Sequence, residues 1–341
     1  MGNSYNFSEY SKICLYDIIV NYDDVLLVDV MNHMRRFLYV HRDLSIADGD
    51  NVIQTGHLYG MLSFLLSLRD RFPNCSIVLC LDGYDHSRRN INPNYKSNRT
   101  HTDNSYEVIP DLLRFSYLIK GVYSSYNSLY EADDTIYSVS KFISYMCRRK
   151  NIKKNIYVLS NDKDMFQMVS DDSLVPIHII RKFGVGSNWW NNADVVDVSV
   201  VKSTFNGVSP ENLVKFRAIV GDSSDNLKGY YRFKKADAAI IAENYDYALG
   251  RLTLKKDRVF NPKWNRFLPR VCSDMGVFSM NYAVMKLKDY SFEIGRDSVD
   301  DVDSVVDRLK YYQLNKFIQR ICSGNYSSYH SKVFESLSRF S

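Results

Sequence analysis

The sequence predicts an α/β fold, a central and mostly parallel sheet flanked by helices, and three observations carry that expectation. Residues 25–28, 76–81 and 156–159 are short, continuously apolar runs, and each leads into an acid: Asp29, Asp82 and Asp162. Between the first two lies a helix-like stretch, residues 56–69, whose Leu58, Met61, Leu62, Leu65 and Leu66 fall on one face. Strand, helix and strand with both strands apolar throughout imply a parallel sheet covered on both sides. In such a sheet the site forms beyond the carboxyl ends of the strands, where these three acids stand.

A second helix is expected over 131–146, with Ile136, Val139, Ile143 and Met146 spaced by three or four and Glu131, Asp133 and Asp134 in its first turn. Acids suit a helix N-terminus through its dipole alone, so their position does not by itself mark a site. After the apolar residues 174–180 comes a loop with Gly184, Gly186 and the Trp189-Trp190 pair. A helix is expected to start at Ser209-Pro210-Glu211 and end at Gly221, before the acidic turn Asp222-Ser223-Ser224-Asp225-Asn226. The rest reads as helical, with no repeats and no clear linker. The division expected is an N-terminal extension (1–20), an α/β core (21–205) and a helical C-terminal region (206–341).

Composition narrows the class. Of 341 residues, 45% are hydrophobic and 24% charged, which is ordinary for a soluble globular chain with a sizeable core. No run approaches the roughly 20 apolar residues of a membrane span, and the start lacks a signal-peptide layout, so a cytoplasmic, membrane-free protein is expected, acting as a monomer. Six scattered cysteines show neither CxxC nor Cys/His spacing, which argues against a zinc site or a disulfide framework. The net charge of +5 is weak support for an anionic partner.

The acids at element ends are Asp29, Asp82, Glu131, Asp133, Asp134, Asp162, Asp164, Asp222 and Asp225. Two bare carboxylates about 4 Å apart repel by about 4 kcal/mol at an effective dielectric of about 20, so a sheet that gathers them needs cations. Oxygen-only ligation favours hard ions, Mg2+ or Mn2+, over zinc. Any one of these acidic strings alone is usually a solvated turn or a cap.

Five strings in order also carry a resemblance. They are LVDV at 27–30 with Arg36 seven residues beyond Asp29 and Arg35 beside it; LD at 81–82 running to Arg89, then YKSNR at 95–99; YEADD at 130–134; DKDMFQMV at 162–169; and GDSSDNLKG at 221–229. Over residues 25–239 the chain resembles the 5′ nuclease domain of bacterial DNA polymerase I and the free-standing flap endonucleases and 5′–3′ exonucleases of bacteriophages. The resemblance implies a PIN-like 5′ nuclease core with a helical arch (about 84–125) and a C-terminal DNA-binding region. It implies two groups of metal ligands, Asp29, Asp82, Glu131, Asp133 and Asp134 with Asp162 at the border, and Asp164, Asp222 and Asp225. At least two ions are then expected, one activating a water and the other stabilising the leaving oxygen. Arg36, Arg89 and Lys96 are implied to act on the scissile phosphate, and Arg35, Arg88, Tyr95 and Arg99 to hold DNA with a 5′ single-stranded end or flap.

Two departures stand out. The lysine usual two residues after the second-strand acid is replaced by Tyr84, a place Arg88 could fill. The helix-hairpin-helix that normally succeeds GDSSDN has lost two of its three glycines in Gly229-Tyr230-Tyr231-Arg232-Phe233-Lys234-Lys235. Duplex contact is therefore expected from the side chains Lys228, Arg232, Lys234 and Lys235. Competing readings are a DNA-binding protein that has lost cleavage, a PIN-type RNase and a receiver-type phosphoacceptor domain. Retention of every expected carboxylate disfavours the first, because a pure binder gains nothing from negative charge facing phosphate. The GDSSDN segment disfavours the second, and the third needs fewer acids.

Overall fold

The structure, a computed structural model, describes residues 7–83, 87–98, 106–182, 190, 193–258, 267–297, 299, 301–323, 326–327 and 330–338. Its centre is a sheet of seven strands: β1 (Asp24–Asp29), β4 (Cys75–Cys80), β5 (Val122–Tyr126), β6 (Ile156–Leu159), β7 (Ile177–Arg181), β8 (Asp194–Val196) and β13 (Glu293–Gly295). Their order across the sheet is β13-β5-β4-β1-β6-β7-β8. Strands β5, β4, β1, β6 and β7 run parallel, and the two edge strands, β8 and β13, are antiparallel. Val25 to Val28, Ile77 to Cys80 and Ile156, Val158 and Leu159 are inaccessible to solvent. That explains why these strands lack polar alternation: both faces are covered.

One face is covered by α2 (Val30–Val40), α3 (Gly56–Arg71) and α5 (Ile109–Ser116), the other by α6 (Ala132–Lys150). Between α2 and α3 lies a hairpin of β2 (Ser45–Asp48) and β3 (Asn51–Gln54). Chain order departs from β1 in both directions, to β4 on one side and β6 on the other, so the β1/β6 boundary is a switch point at which a crevice opens.

The helices expected over 56–69 and 131–146 form, extended to Arg71 and Lys150. The second ends at Asn151, whose φ of 53° gives the left-handed cap after three basic residues. A short α7 (Val198–Thr204) leads out of β8. The helix expected from Ser209 is a 3-10 turn, Pro210–Asn212, continued by α8 (Leu213–Val220).

The expected division differs from the structure at two points. First, the sequence sets residues 1–20 apart, yet α1 (Glu9–Val20) buries Cys14, Leu15, Ile18 and Ile19 in the core. Its Ser11 hydroxyl bonds Glu293 (2.6 Å) and the Ile294 carbonyl (2.8 Å), tying α1 to β13. Second, the C-terminal region is not all helical. β13 extends the core sheet, and β9 (Gly221–Asp222) with β10 (Leu227–Lys228) and β11 (Tyr245–Ala248) with β12 (Arg251–Leu254) form small ribbons around α9 (Lys235–Asn244). These short strands show no alternation long enough to read. Within 84–125, where the resemblance implies an arch, the described residues form α4 (Ser87–Ile91), a loop to Asn98, α5 and β5, and residues 84–86 and 99–105 lie outside the described residues. Arg99, Tyr84, Gly184, Gly186 and Trp189 lie outside the described residues.

Helices Val302–Tyr311, Asn315–Ser323 and His330–Ser338 extend the core on the α3/α5 side, where Val306, Leu309, Phe317 and Ile321 are buried. No described helix is long and apolar enough to cross a membrane.

Candidate metal and nucleic-acid site

The acids at the strand ends fold as helix caps. Asp29 closes β1 and accepts the Asn32 N–H at 3.1 Å, starting α2. Asp82, two residues beyond β4, accepts the Ala132 N–H at 2.7 Å at the start of α6. Asp162 accepts the Asp164 N–H at 2.8 Å and opens the 3-10 helix Lys163–Met168. Three helix N-termini therefore converge on the carboxyl edge of the sheet. Their partial positive charge favours anions there, and a capping carboxylate still has lone pairs for a cation.

Asp133, in the first turn of α6, joins Asp162 and Asp164, and one carboxylate oxygen from each lies within 4.8 Å of the other two. Asp29 is buried, and burial together with the nearby Asp82 charge pushes its carboxyl up to about 7, against the Ser160 hydroxyl bond at 2.7 Å. Asp133 is also pushed up, by burial and then by Asp162 and Asp29, and Asp82 is raised chiefly by burial. Acids held in this way bind protons where a cation is absent, and a divalent ion relieves the same repulsion. The all-oxygen donor set fits a hard cation.

The sequence groups nine acids; the structure separates them by partner. Glu131 caps nothing with its side chain. Although burial raises it, Arg88 and Lys96 hold it down at about 2, with Lys96 Nζ at 2.9 and 2.8 Å and the Tyr95 hydroxyl at 3.2 Å. Asp134 is fully buried and takes both of its oxygens to Arg88 at 3.0 Å, with the Lys288 N–H at 2.9 Å. Glu131 and Asp134, implied as metal ligands by the resemblance, are paired here with arginine and lysine and stand outside the Asp133, Asp162 and Asp164 group. Arg88 and Tyr95, implied as DNA contacts by the resemblance, are buried here, 2% and 5% exposed. Lys96, expected on the phosphate, also spends its ammonium on Glu131.

The second acidic group divides likewise. Asp164 and Asp222 are bridged by Arg217, one guanidinium nitrogen on each. Burial raises Asp222, but the Ser224 hydrogen bonds and the Arg217 charge bring it below the ordinary range. Asp225 is buried and does not join Asp164 and Asp222 on Arg217. Its carbonyl takes the Lys96 N–H at 3.2 Å, so the loop after α4 is docked on the acidic turn. Asn226 Nδ2 bonds the Asn94 carbonyl (3.1 Å) and Ser97 Oγ (3.0 Å) in the same seam. Two glycines close that turn. Gly221 has φ +82° and a Cβ there would sit 2.3 Å from Gly229 N, while a Cβ on Gly229 would sit 2.0 Å from the Val220 carbonyl. Neither position tolerates a side chain.

An open cleft of about 680 Å³ runs past the acids, lined by Asn32, Asp162, Arg217, Asp222, Ser224 and Lys235. Arg35 is exposed and Arg36 half-buried on α2, and Arg89 is half-buried on α4. Lys228, Arg232, Lys234 and Lys235 are exposed, the last two at the start of α9. Sequence reasoning missed Ser160, Asn161 and Arg217. Asn161 Nδ2 reaches Asn32 Oδ1 at 3.3 Å across the switch point. Arg217 was legible in principle, as a cation five residues before an acid near a helix end.

A family model described as "5′-3′ exonuclease, N-terminal resolvase-like domain" matches residues 24–205, more than half of the chain. The chain belongs to this 5′–3′ exonuclease family. It is accordingly a nuclease. Among curated relatives, a 5′-3′ exonuclease of Bacillus subtilis (strain 168) is 28% identical over 236 residues, 67% of this chain and 72% of that protein. A 5′-3′ exonuclease of Buchnera aphidicola subsp. Baizongia pistaciae is 29% identical over 236 residues, covering 68% of each. The fold agrees with that of the bacteriophage T5 D15 protein co-crystallised with metal ions: TM-score 0.54, 17% identity, 87% of this chain and 98% of that one.

Proposed function

We propose that this chain hydrolyses phosphodiester bonds in DNA carrying a single-stranded 5′ end or flap, with Mg2+ or Mn2+ held by Asp133, Asp162 and Asp164. The observation that carries the reading is the convergence of these three carboxylates within 4.8 Å beside Asp29, whose protonation is forced up by burial and its acidic neighbours. A T5 D15 flap endonuclease is described in a pseudo-enzyme-product complex with DNA and metal ions, which supports this substrate for the shared fold. When bound, divalent ions would activate a water for attack on phosphorus and stabilise the leaving oxygen. The chain's own groups then supply position. Asp29 and Asp82, fixed as caps of α2 and α6, add negative charge at the rim of the ligand set. Arg35 and Arg36 on α2, and Arg89 on α4, offer guanidinium groups to phosphates. Lys228, Arg232, Lys234 and Lys235 offer side-chain contacts to duplex beyond the cut.

The reading is tested with an end-labelled 5′-flap DNA incubated with Mg2+, with Mn2+ and with EDTA. Metal-dependent cuts at the flap junction or from the 5′ end, leaving 5′-phosphate products, are expected. Asp133→Ala and Asp162→Ala should lose nearly all cleavage while DNA affinity holds or rises. Full activity of both variants in Mg2+, or cutting unaffected by EDTA, would overturn it.

A further inference from the structure

Arg217 lies on α8, one turn before the helix ends at Gly221, and its guanidinium spans two carboxylates from different parts of the chain. Asp164 comes from the 3-10 helix after β6, in the sheet half, and Asp222 from the turn after α8. All three side chains are mostly buried, Arg217 10%, Asp164 11% and Asp222 18% exposed, and Arg217 and Asp222 line the cleft. A planar fork between two carboxylates leaves the trio with one net negative charge. A bare pair would carry two.

The consequence is specific to the second carboxylate pair. Asp164 is shared between the Asp133–Asp162–Asp164 group and Arg217. A divalent ion held by Asp133, Asp162 and the free face of Asp164 leaves the bridge in place. An ion that takes Asp222 as well must displace the guanidinium from both carboxylates, or bind beside a positive charge. We propose that Arg217 is an internal counter-cation that competes with divalent metal for Asp164 and Asp222, making one metal position strong and the next weak until Arg217 is drawn away. This rests on the reading of the acidic group as a metal site. The bridge also links the sheet half to the turn that docks the loop after α4, so loss of the bridge on loading the weak position would be felt at Lys96 and Glu131.

The test uses the full chain without DNA, titrated with Mn2+ while the electron paramagnetic resonance signal of free Mn2+ is recorded. Wild type should show one tight and one weak class of bound ion. Arg217→Met, which keeps the stem and removes the charge, should tighten the weak class on the order of tenfold and leave the tight class unchanged. Arg217→Lys, a point charge that cannot bridge both acids, should fall between the two. Met and wild-type isotherms that coincide, or a weak class that loosens further in the Met variant, would overturn the proposal; the latter would make Arg217 a brace for the acids. If Arg217→Met does not fold without metal, the Lys variant decides: its weak class must be tighter than that of wild type. No Mn2+ bound by wild type would instead overturn the metal-site reading itself.

Discussion

Removing Arg88 should destabilise the protein and not primarily weaken its grip on DNA. The side chain is 3% exposed and sits against Glu131 and a completely buried Asp134, both of whose oxygens it bonds at 3.0 Å. In Arg88→Met the Asp134 carboxylate keeps the Lys288 N–H but loses both guanidinium bonds, and Glu131 keeps Lys96 and Tyr95. Breaking a buried pair by removing one partner costs about 3–5 kcal/mol, because the stranded charge is worse than the pair was good. Asp134→Asn removes that charge, so the double variant Arg88→Met/Asp134→Asn should be more stable than the sum of the two singles predicts, by up to about 3 kcal/mol. Urea unfolding in metal-free buffer, followed by circular dichroism, measures both quantities. The salt dependence of duplex binding gives a second readout, since a true phosphate contact adds about −0.9 to its logarithmic slope. A cost under about 1 kcal/mol, the range of an exposed pair, together with a slope flattened by about 0.9, would refute the buried-pair argument. Arg88 would then be the phosphate contact that its place in the sequence suggests.

Two further predictions concern charge. Because the folded carboxyl of Asp29 is pushed up to about 7 from an ordinary 3.8, the folded protein holds a proton that the unfolded chain has released, so metal-free stability should fall between about pH 4 and 7. Asp29→Asn should remove that part of the slope of urea midpoint against pH, and an unchanged slope would show that Asp29 ionises normally. Lys234→Ala/Lys235→Ala should flatten the salt slope of duplex affinity by up to about 2, because both side chains are exposed at the start of α9; an unchanged slope would move duplex contact elsewhere, for instance to Lys255 and Lys256.

The strand-ending acids were legible because apolar runs report burial on both faces, and the residue just past the carboxyl end of a parallel strand faces the crevice. Asp29, Asp82 and Asp162 are found at those ends, each with the added task of starting a helix. What sequence could not supply was the direction of each side chain. Asp133 and Asp134 are neighbours in one helical turn, about 100° apart around the axis, so one reaches Asp162 and Asp164 while the other turns to Arg88. The same limit hid Arg88, whose place in a basic run suggested solvent, and α1, whose partner β13 lies 282 residues along the chain at the Ser11–Glu293 contact. Short ribbons such as β9/β10 escaped because two residues carry no period.

Internal cations compensate part of the charge of the gathered acids. Arg88 and Lys96 answer Glu131 and Asp134, and Arg217 answers Asp164 and Asp222. Asp29, Asp82 and Asp133 have their protonation shifted upward by burial and neighbouring acids instead. A cation bound near Asp133 would relieve the repulsion that raises these acids, while Asp164 is shared between that group and Arg217. Arg88, read from sequence as a hand for phosphate, is instead buried against Glu131 and Asp134 in the first turn of α6. The proposed duplex contact would use side chains that stay exposed, Lys228 and Arg232 together with Lys234 and Lys235 at the start of α9.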